Sequence, residues 1–151
     1  MARTIITAFS LALLLFWGDG ANAAGTVLSK DAPDLTSIKA RIKAKDYAGA
    51  LAEVKPLIET HENADVYNLY AFTSRKTGDR KTAITYYAKA LDYDKNHLGA
   101  LEYQGQMFIE MGEMKKAQSN LAKLVTLCPK GCEEREDLEK AIKTAGTTKK
   151  K

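Results

Sequence analysis

From Leu35 to Ile142 the apolar residues recur three or four positions apart, and no stretch alternates apolar and polar residues at a spacing of two. That pattern predicts helices and no sheet. Within 65–77, Val66, Leu69, Tyr70 and Thr73 fall on one helical stripe, which Tyr67 and Ala71 widen. A second helix over 81–93 carries Ala83, Ile84, Tyr87, Ala90 and Leu91. Between them Gly78 suits a left-handed helix stop and Asp79 suits a cap for the next helix. Leu101, Phe108 and Met111, then Met114, Ala117, Leu121 and Leu124, repeat this layout. Upstream, Leu35, Ile38 and Ile42 predict a short helix, followed by one carrying Tyr47, Ala50, Leu51, Val54 and Leu57 that Pro56 should kink or loosen. Downstream, 133–145 predicts one last helix with Leu138, Ala141 and Ile142 on its apolar side and a charged outer face.

These elements repeat every 34 residues. Gly78 is answered by Gly112, Ala83 by Ala117, Ala71 by Gly105 and Ala88 by Ala122, while Tyr87, Ala90 and Leu91 meet Leu121, Leu124 and Val125. Small residues thus align with small ones, Ala90 against Leu124 excepted, and large apolar residues with apolar ones. This period, with its small residues and turn glycines, resembles the tetratricopeptide repeat (TPR), a pair of antiparallel helices joined by a tight turn. The resemblance implies an all-α TPR stack of about three helix pairs. The units would be a degenerate repeat at 34–63, full repeats at 64–97 and 98–131, and a capping helix at 132–145. Lys95 replaces the closing proline in the first full unit, whereas Pro129 keeps it in the second.

The chain begins with a different kind of segment. Arg3, an apolar run from Ile5 to Trp17, the breakers Gly18, Asp19 and Gly20, and the small-x-small Ala21-Asn22-Ala23 together read as a signal peptide over 1–23. The apolar run is shorter than the ~20 residues a membrane span needs, so no stable membrane insertion is expected after cleavage behind Ala23. No cysteine at the cut offers a lipid anchor. The brevity of the signal points to a bacterial export substrate and a periplasmic location. Residues 24–33 and the basic tail 146–151 are expected to be disordered. The formal net charge of +4, from 23 Lys and Arg against 19 Asp and Glu, leaves a mixed surface and argues against a nucleic-acid partner.

Cys128 and Cys132 are the only cysteines. A structural disulfide pinning the capping helix to the stack is the first expectation in an oxidising compartment. A redox pair, or a copper site drawing on Met107, Met111 or Met114, stays open. The segment from Leu121 to Ile142, with its Cys-Pro-x-Gly-Cys-Glu-Glu run, also resembles a subset of small exported proteobacterial TPR proteins. No Ser-His-acid arrangement, Walker loop or His-Glu-x-x-His occurs, so no enzyme and no cofactor are expected. His61 and His97 read as solvated turn residues, and Glu133, Glu134, Glu136 and Asp137 as the charged first turn of the last helix.

The TPR resemblance implies that the first helix of each unit lines a concave groove receiving a peptide or protein segment. By position it assigns Asp65, Asn68, Phe72, Arg75 and Lys76 from the first unit, and Glu102, Gln106, Ile109 and Glu110 from the second. Glu102 stands where the carboxylate-binding members of the family would carry a cation. Phe72 is either an anchor exposed in the groove or core packed on the upstream copy. The expected function is that of a non-catalytic periplasmic adaptor. A thiol-based redox or copper-handling protein and a self-assembling structural protein are the alternatives.

Overall fold

The computed structural model describes residues 32–148, which form eight helices, with no strand among the described residues. They are α1 (Thr36–Lys43), α2 (Tyr47–Val54), α3 (Leu57–Thr60), α4 (Ala64–Lys76), α5 (Arg80–Tyr93), α6 (Leu98–Glu110), α7 (Met114–Leu127) and α8 (Glu133–Thr148). The expected signal peptide, most of 24–33 and Lys149 to Lys151 lie outside the described residues. The fold is an all-α stack of three helix pairs, α1–α2, α4–α5 and α6–α7, closed by α8. α4 and α6 have 13 residues each and α5 and α7 have 14 each, so the second full unit reproduces the first.

The turn inside each pair has one backbone design. After α4, Gly78 N–H donates to the Arg75 carbonyl at 3.1 Å and Asp79 N–H to that of Ser74 at 2.8 Å. After α6, Gly112 and Glu113 donate to Ile109 and Phe108 at 3.0 and 2.8 Å. Both glycines take a left-handed φ, +99° and +77°, which reverses the chain while satisfying the terminal carbonyls. The same pair of bonds follows α1, from Lys45 to Ile42 at 3.0 Å and from Asp46 to Arg41 at 2.9 Å. Here the left-handed residue is Lys45, with φ 62°. The upstream copy therefore keeps the repeat's turn without its glycine. Asp46 and Asp79 then cap α2 and α5 by accepting from Gly49 and Thr82 N–H, each at 3.0 Å.

Pro56 does more than kink the second helix of that copy. Proline has no N–H to donate and its ring crowds the carbonyl four residues back. α2 therefore stops at Val54, and the chain restarts as the single turn α3. At the other end α8 runs through Thr148, three residues past the expected end at Ala145. Glycine and threonine are weak helix formers, but adding a residue to an existing helix costs far less than starting one. Thr144 and Thr147 hydroxyls also bond back to the carbonyls of Lys140 and Thr144, at 2.9 and 2.7 Å.

Packing follows the stack from interface to interface. Ile38 of α1, Ala50 and Val54 of α2 and Val66, Leu69 and Tyr70 of α4 form the first cluster. Ala71, Phe72, Ala83, Tyr87 and Met107 join the two full units. Leu101, Leu124 and Leu138 bind the cap to the second unit. α8 comes so close that a Cβ on Gly105 would sit 2.6 Å from Leu138 Cδ2, which explains the small residue at that place in the repeat. Met111, expected on the apolar stripe, is instead 43% exposed, because it follows the last turn of α6.

The turns give a paired prediction. Lys45→Gly should raise unfolding free energy by about 0.5–1 kcal/mol, since left-handed backbone costs a side-chain-bearing residue roughly 1–2 kcal/mol and glycine gives part of that back in unfolded-state entropy. Gly78→Ala should lower it by about 1–2 kcal/mol. Urea titrations of the three proteins provide the check.

Candidate functional site

The first helices of the units, α1, α4 and α6, together with α8, share one face of the stack, and that face is cleft. Toward the N-terminal ends of α4, α6 and α8 lies a cleft of about 530 Å³. Ile42, Leu69, Phe72 and Tyr103 give it apolar surface, and Lys39, Lys43, Asp65, Asn68 and Glu133 give it polar groups. A second cleft, also about 530 Å³, opens toward the C-terminal ends. Arg75 of α4, Gln106, Ile109 and Glu110 of α6, and Asp137, Lys140 and Ala141 of α8 line it. α5 and α7 contribute to neither.

The nine groove residues assigned by repeat position all lie on these first helices, but only some of them are exposed. Asp65, Lys76 and Glu110 are exposed, Gln106 and Ile109 are half-buried, and Asn68, Phe72, Arg75 and Glu102 are buried. Phe72 is 8% exposed, edge-on to Tyr47 of the upstream copy at 6.0 Å between centroids and tilted against Tyr103 at 4.6 Å. It is core packed on the upstream copy, with its margin reaching the cleft, and not a free anchor. Arg75 is equally occupied. Its guanidinium donates to the Tyr103 carbonyl and to Gln106 Oε1, each at 3.0 Å, and pairs with Glu110 at 3.1 Å. A buried guanidinium needs this set of acceptors, and here it ties α4 to α6. Lys76 lies over the Phe72 ring, its Nζ 5.3 Å from the centroid.

Glu102 carries the strongest electrostatic signature. Its carboxyl is buried, accepts from Gln106 Nε2 at 2.7 Å, and faces Asp137, Glu134 and Glu133 across from α8. Burial first, and then those three carboxylates, push its pKa up to about 8, against an opposing pull from Arg75. The neighbouring half-buried Tyr103 phenol is pushed up to about 12, by desolvation first and then by Glu102 and the same acids. Repeat position placed Glu102 on this face. It gave no sign that the first turn of α8 would lie against it, nor that Tyr103, Lys39, Lys43 and Glu133 would complete the cleft.

His97 is not a solvated turn residue. Its Nδ1 accepts from Ala100 N–H at 3.0 Å, capping α6, which leaves the proton on Nε2, 3.2 Å from Asp65 Oδ1. His61 Nδ1 lies 2.8 Å from the Thr60 hydroxyl. Cys128 and Cys132 form a disulfide with Cα atoms 5.9 Å apart, linking the end of α7 to the start of α8. Arg135 reinforces the junction by donating to the Cys128 carbonyl at 3.2 Å. In this bonded form the cysteines offer no thiolates to a metal. Of the methionines weighed with them, Met107 is core at 1% exposure. Among the described residues no group of three or more His, Cys, Asp or Glu is placed to hold a metal ion, and no helix is long and apolar enough to cross a membrane.

Helix pairs stacked with their first helices on one cleft-bearing face define a helical repeat protein. Residues 64–97, which span α4, α5 and the turn into α6, match the tetratricopeptide repeat family model. No curated protein matches the chain.

Two predictions come from these side chains. Between about pH 4.5 and about 8 the folded state keeps the Glu102 proton and the unfolded state has lost it, so rising pH favours unfolding across that window, and above it the effect is complete. Glu102→Gln should remove this component. The stability of the native protein relative to the variant should fall as pH rises from 5 to about 8, measured by urea titration at each pH. The five-residue disulfide ring restrains the unfolded chain only modestly, so replacing Cys128 and Cys132 together by serine should cost about 2 kcal/mol or less in the same assay.

Proposed function

We propose that this protein is a non-catalytic adaptor of the periplasm that holds a peptide or protein segment against the face formed by α1, α4, α6 and α8. The observation that carries this reading is the pair of clefts on that face, each about 530 Å³, with apolar surface and charged rims. Such volumes accept the side chains of a docked segment, and first helices of tetratricopeptide repeats generally serve protein–protein interaction. The periplasmic assignment is supported by the signal-like pattern over residues 1–23 and by a cysteine pair at disulfide distance.

Because Phe72 and Arg75 are buried, truncating them tests folding before it tests binding. A photo-crosslinking residue at Lys43 or Glu133, on the cleft rim, keeps the core intact. Partner adducts should form from those positions and not from Thr85 of α5 or Ala122 of α7, which line neither cleft. Equal crosslinking from all four would defeat the groove reading. Intact mass of the protein recovered from a periplasmic fraction should correspond to a chain starting at Ala24, and an unprocessed mass would remove the export assignment.

A further inference from the structure

α1 and α4 end equally far before their left-handed turn residues, Lys45 and Gly78, yet α1 has 8 residues and α4 has 13. The difference falls at the start of α1. Asp34 caps it there, its Oδ1 accepting from Thr36 N–H at 2.9 Å, and Pro33 biases the residue ahead of it away from helical backbone. The upstream unit therefore presents more than a turn less to the groove than the other two, and the N-terminal cleft lies between α1 and the first half of α4. Its charges are opposed and unpaired. Lys39 and Lys43 stand on the α1 wall and Glu133 on the α8 wall, all exposed, and none has an ion-pair partner among the described residues. Between these walls half-buried Ile42 and Tyr103 supply apolar surface.

The chain reaches this place from its N-terminal side. Removal of a signal peptide behind Ala23 leaves residues 24–31 ahead of Ala32. Extended, they span up to about 26 Å, roughly twice the ~12 Å length of α1, enough to cross a cleft that α1 and α8 both line. They carry a carboxylate, Asp31, at the α1 end, the apolar pair Val27 and Leu28 in the middle, and the new α-ammonium of Ala24 at the far end. That order of negative, apolar and positive is the complement of the cleft read from α1 to α8. Lys30 falls on the opposite side of an extended segment from Asp31 and faces solvent.

We propose that residues 24–31 dock in this cleft of their own chain as a strap. Asp31 lies beside Lys39, Val27 and Leu28 cover Ile42 and Tyr103, and the Ala24 ammonium meets Glu133. The strap competes there with the partner segment. Its docking follows from the cleft and the processed N-terminus, whereas the competition rests on the adaptor reading of this face.

A photo-crosslinking residue placed at Val27 or Leu28, in the disulfide-bonded chain beginning at Ala24, tests the strap without any partner. Irradiation at low protein concentration should join it to α6 or the first turn of α8, around Tyr103 and Glu133, as mapped by peptide mass spectrometry. Glu133→Gln, an exposed change outside the core, should lower that yield about two- to fivefold, the worth of one exposed ion pair, with an unaltered thermal melt. Adducts confined to α1 and α2, adducts to α5 or α7, adducts joining two chains, or a yield indifferent to Glu133→Gln would overturn the strap and leave the adaptor reading in place. Deleting 24–31 should raise partner crosslinking from Lys43, and an unchanged yield would overturn the competition. A mapped strap adduct in a chain that captures no partner would sink the adaptor reading alone.

Discussion

Each helix pair of this chain has apolar residues on more than one side, and whatever the two helices cannot bury against each other must be covered by the next pair. Val66 and Tyr70 of α4 reach Ala50 and Val54 of α2, Met107 of α6 reaches Ala71 and Tyr87, and Leu138 of α8 reaches Leu101 and Leu124. A solenoid is held together by such neighbour-to-neighbour contacts and has no central core. Spacing between neighbours is set by small residues. Ala71, Ala83 and Ala117 are fully buried, and Gly105 leaves room for Leu138 and nothing more. Every property of the cleft-bearing face follows from this, since the first helices are brought side by side only because their flanks are interlocked.

The same face concentrates charge where water is scarce. Arg75 is satisfied by a carbonyl, an amide and a carboxylate, all from α6, so a buried cation fastens neighbouring units together. Glu102 is less fully compensated, by one hydrogen bond from Gln106 and the weaker pull of Arg75. The acids of α8 suit the positive end of their own helix, yet they lie against a carboxyl one unit away. Burial first, and then these acids, raise the cost of ionising Glu102, so what suits α8 locally adds to the penalty on that carboxyl.

How much of this was legible depended on whether a residue's role is local. The 34-residue period, the small residues and the turn glycines announced helix pairs, because turn and helix chemistry is written in adjacent residues. Lys45 concealed the third turn, since its backbone bonds are those of Gly78 and Gly112 while its side chain carries no turn signal. Phe72 was ambiguous between groove and core until Tyr47 and Tyr103 were placed on either side of it. His97 read as an ordinary turn residue because its ring partner Asp65 lies 32 residues upstream in the chain. The burial of Glu102 was invisible for the same reason, as it depends on a helix that begins about thirty residues later in the chain.

The disulfide between Cys128 and Cys132 closes a ring of five residues at the very point where α8 leaves the stack. Its bearing on the cap is kinetic as much as thermodynamic. If Leu138 withdraws from beside Gly105, the base of α8 stays within a few ångströms of its seat. The search for re-docking is then confined to a volume equivalent to a high local concentration. The disulfide thus acts as a second tether beside the backbone at the base of α8. At the opposite end α1 joins α2 through the backbone turn at Ala44 to Asp46 and packs Leu35 and Ile38 on α2 and α4, with no cross-link beside the backbone among the described residues. The described stack is thus cross-linked at its cap and held at its other end by a backbone turn and packing alone.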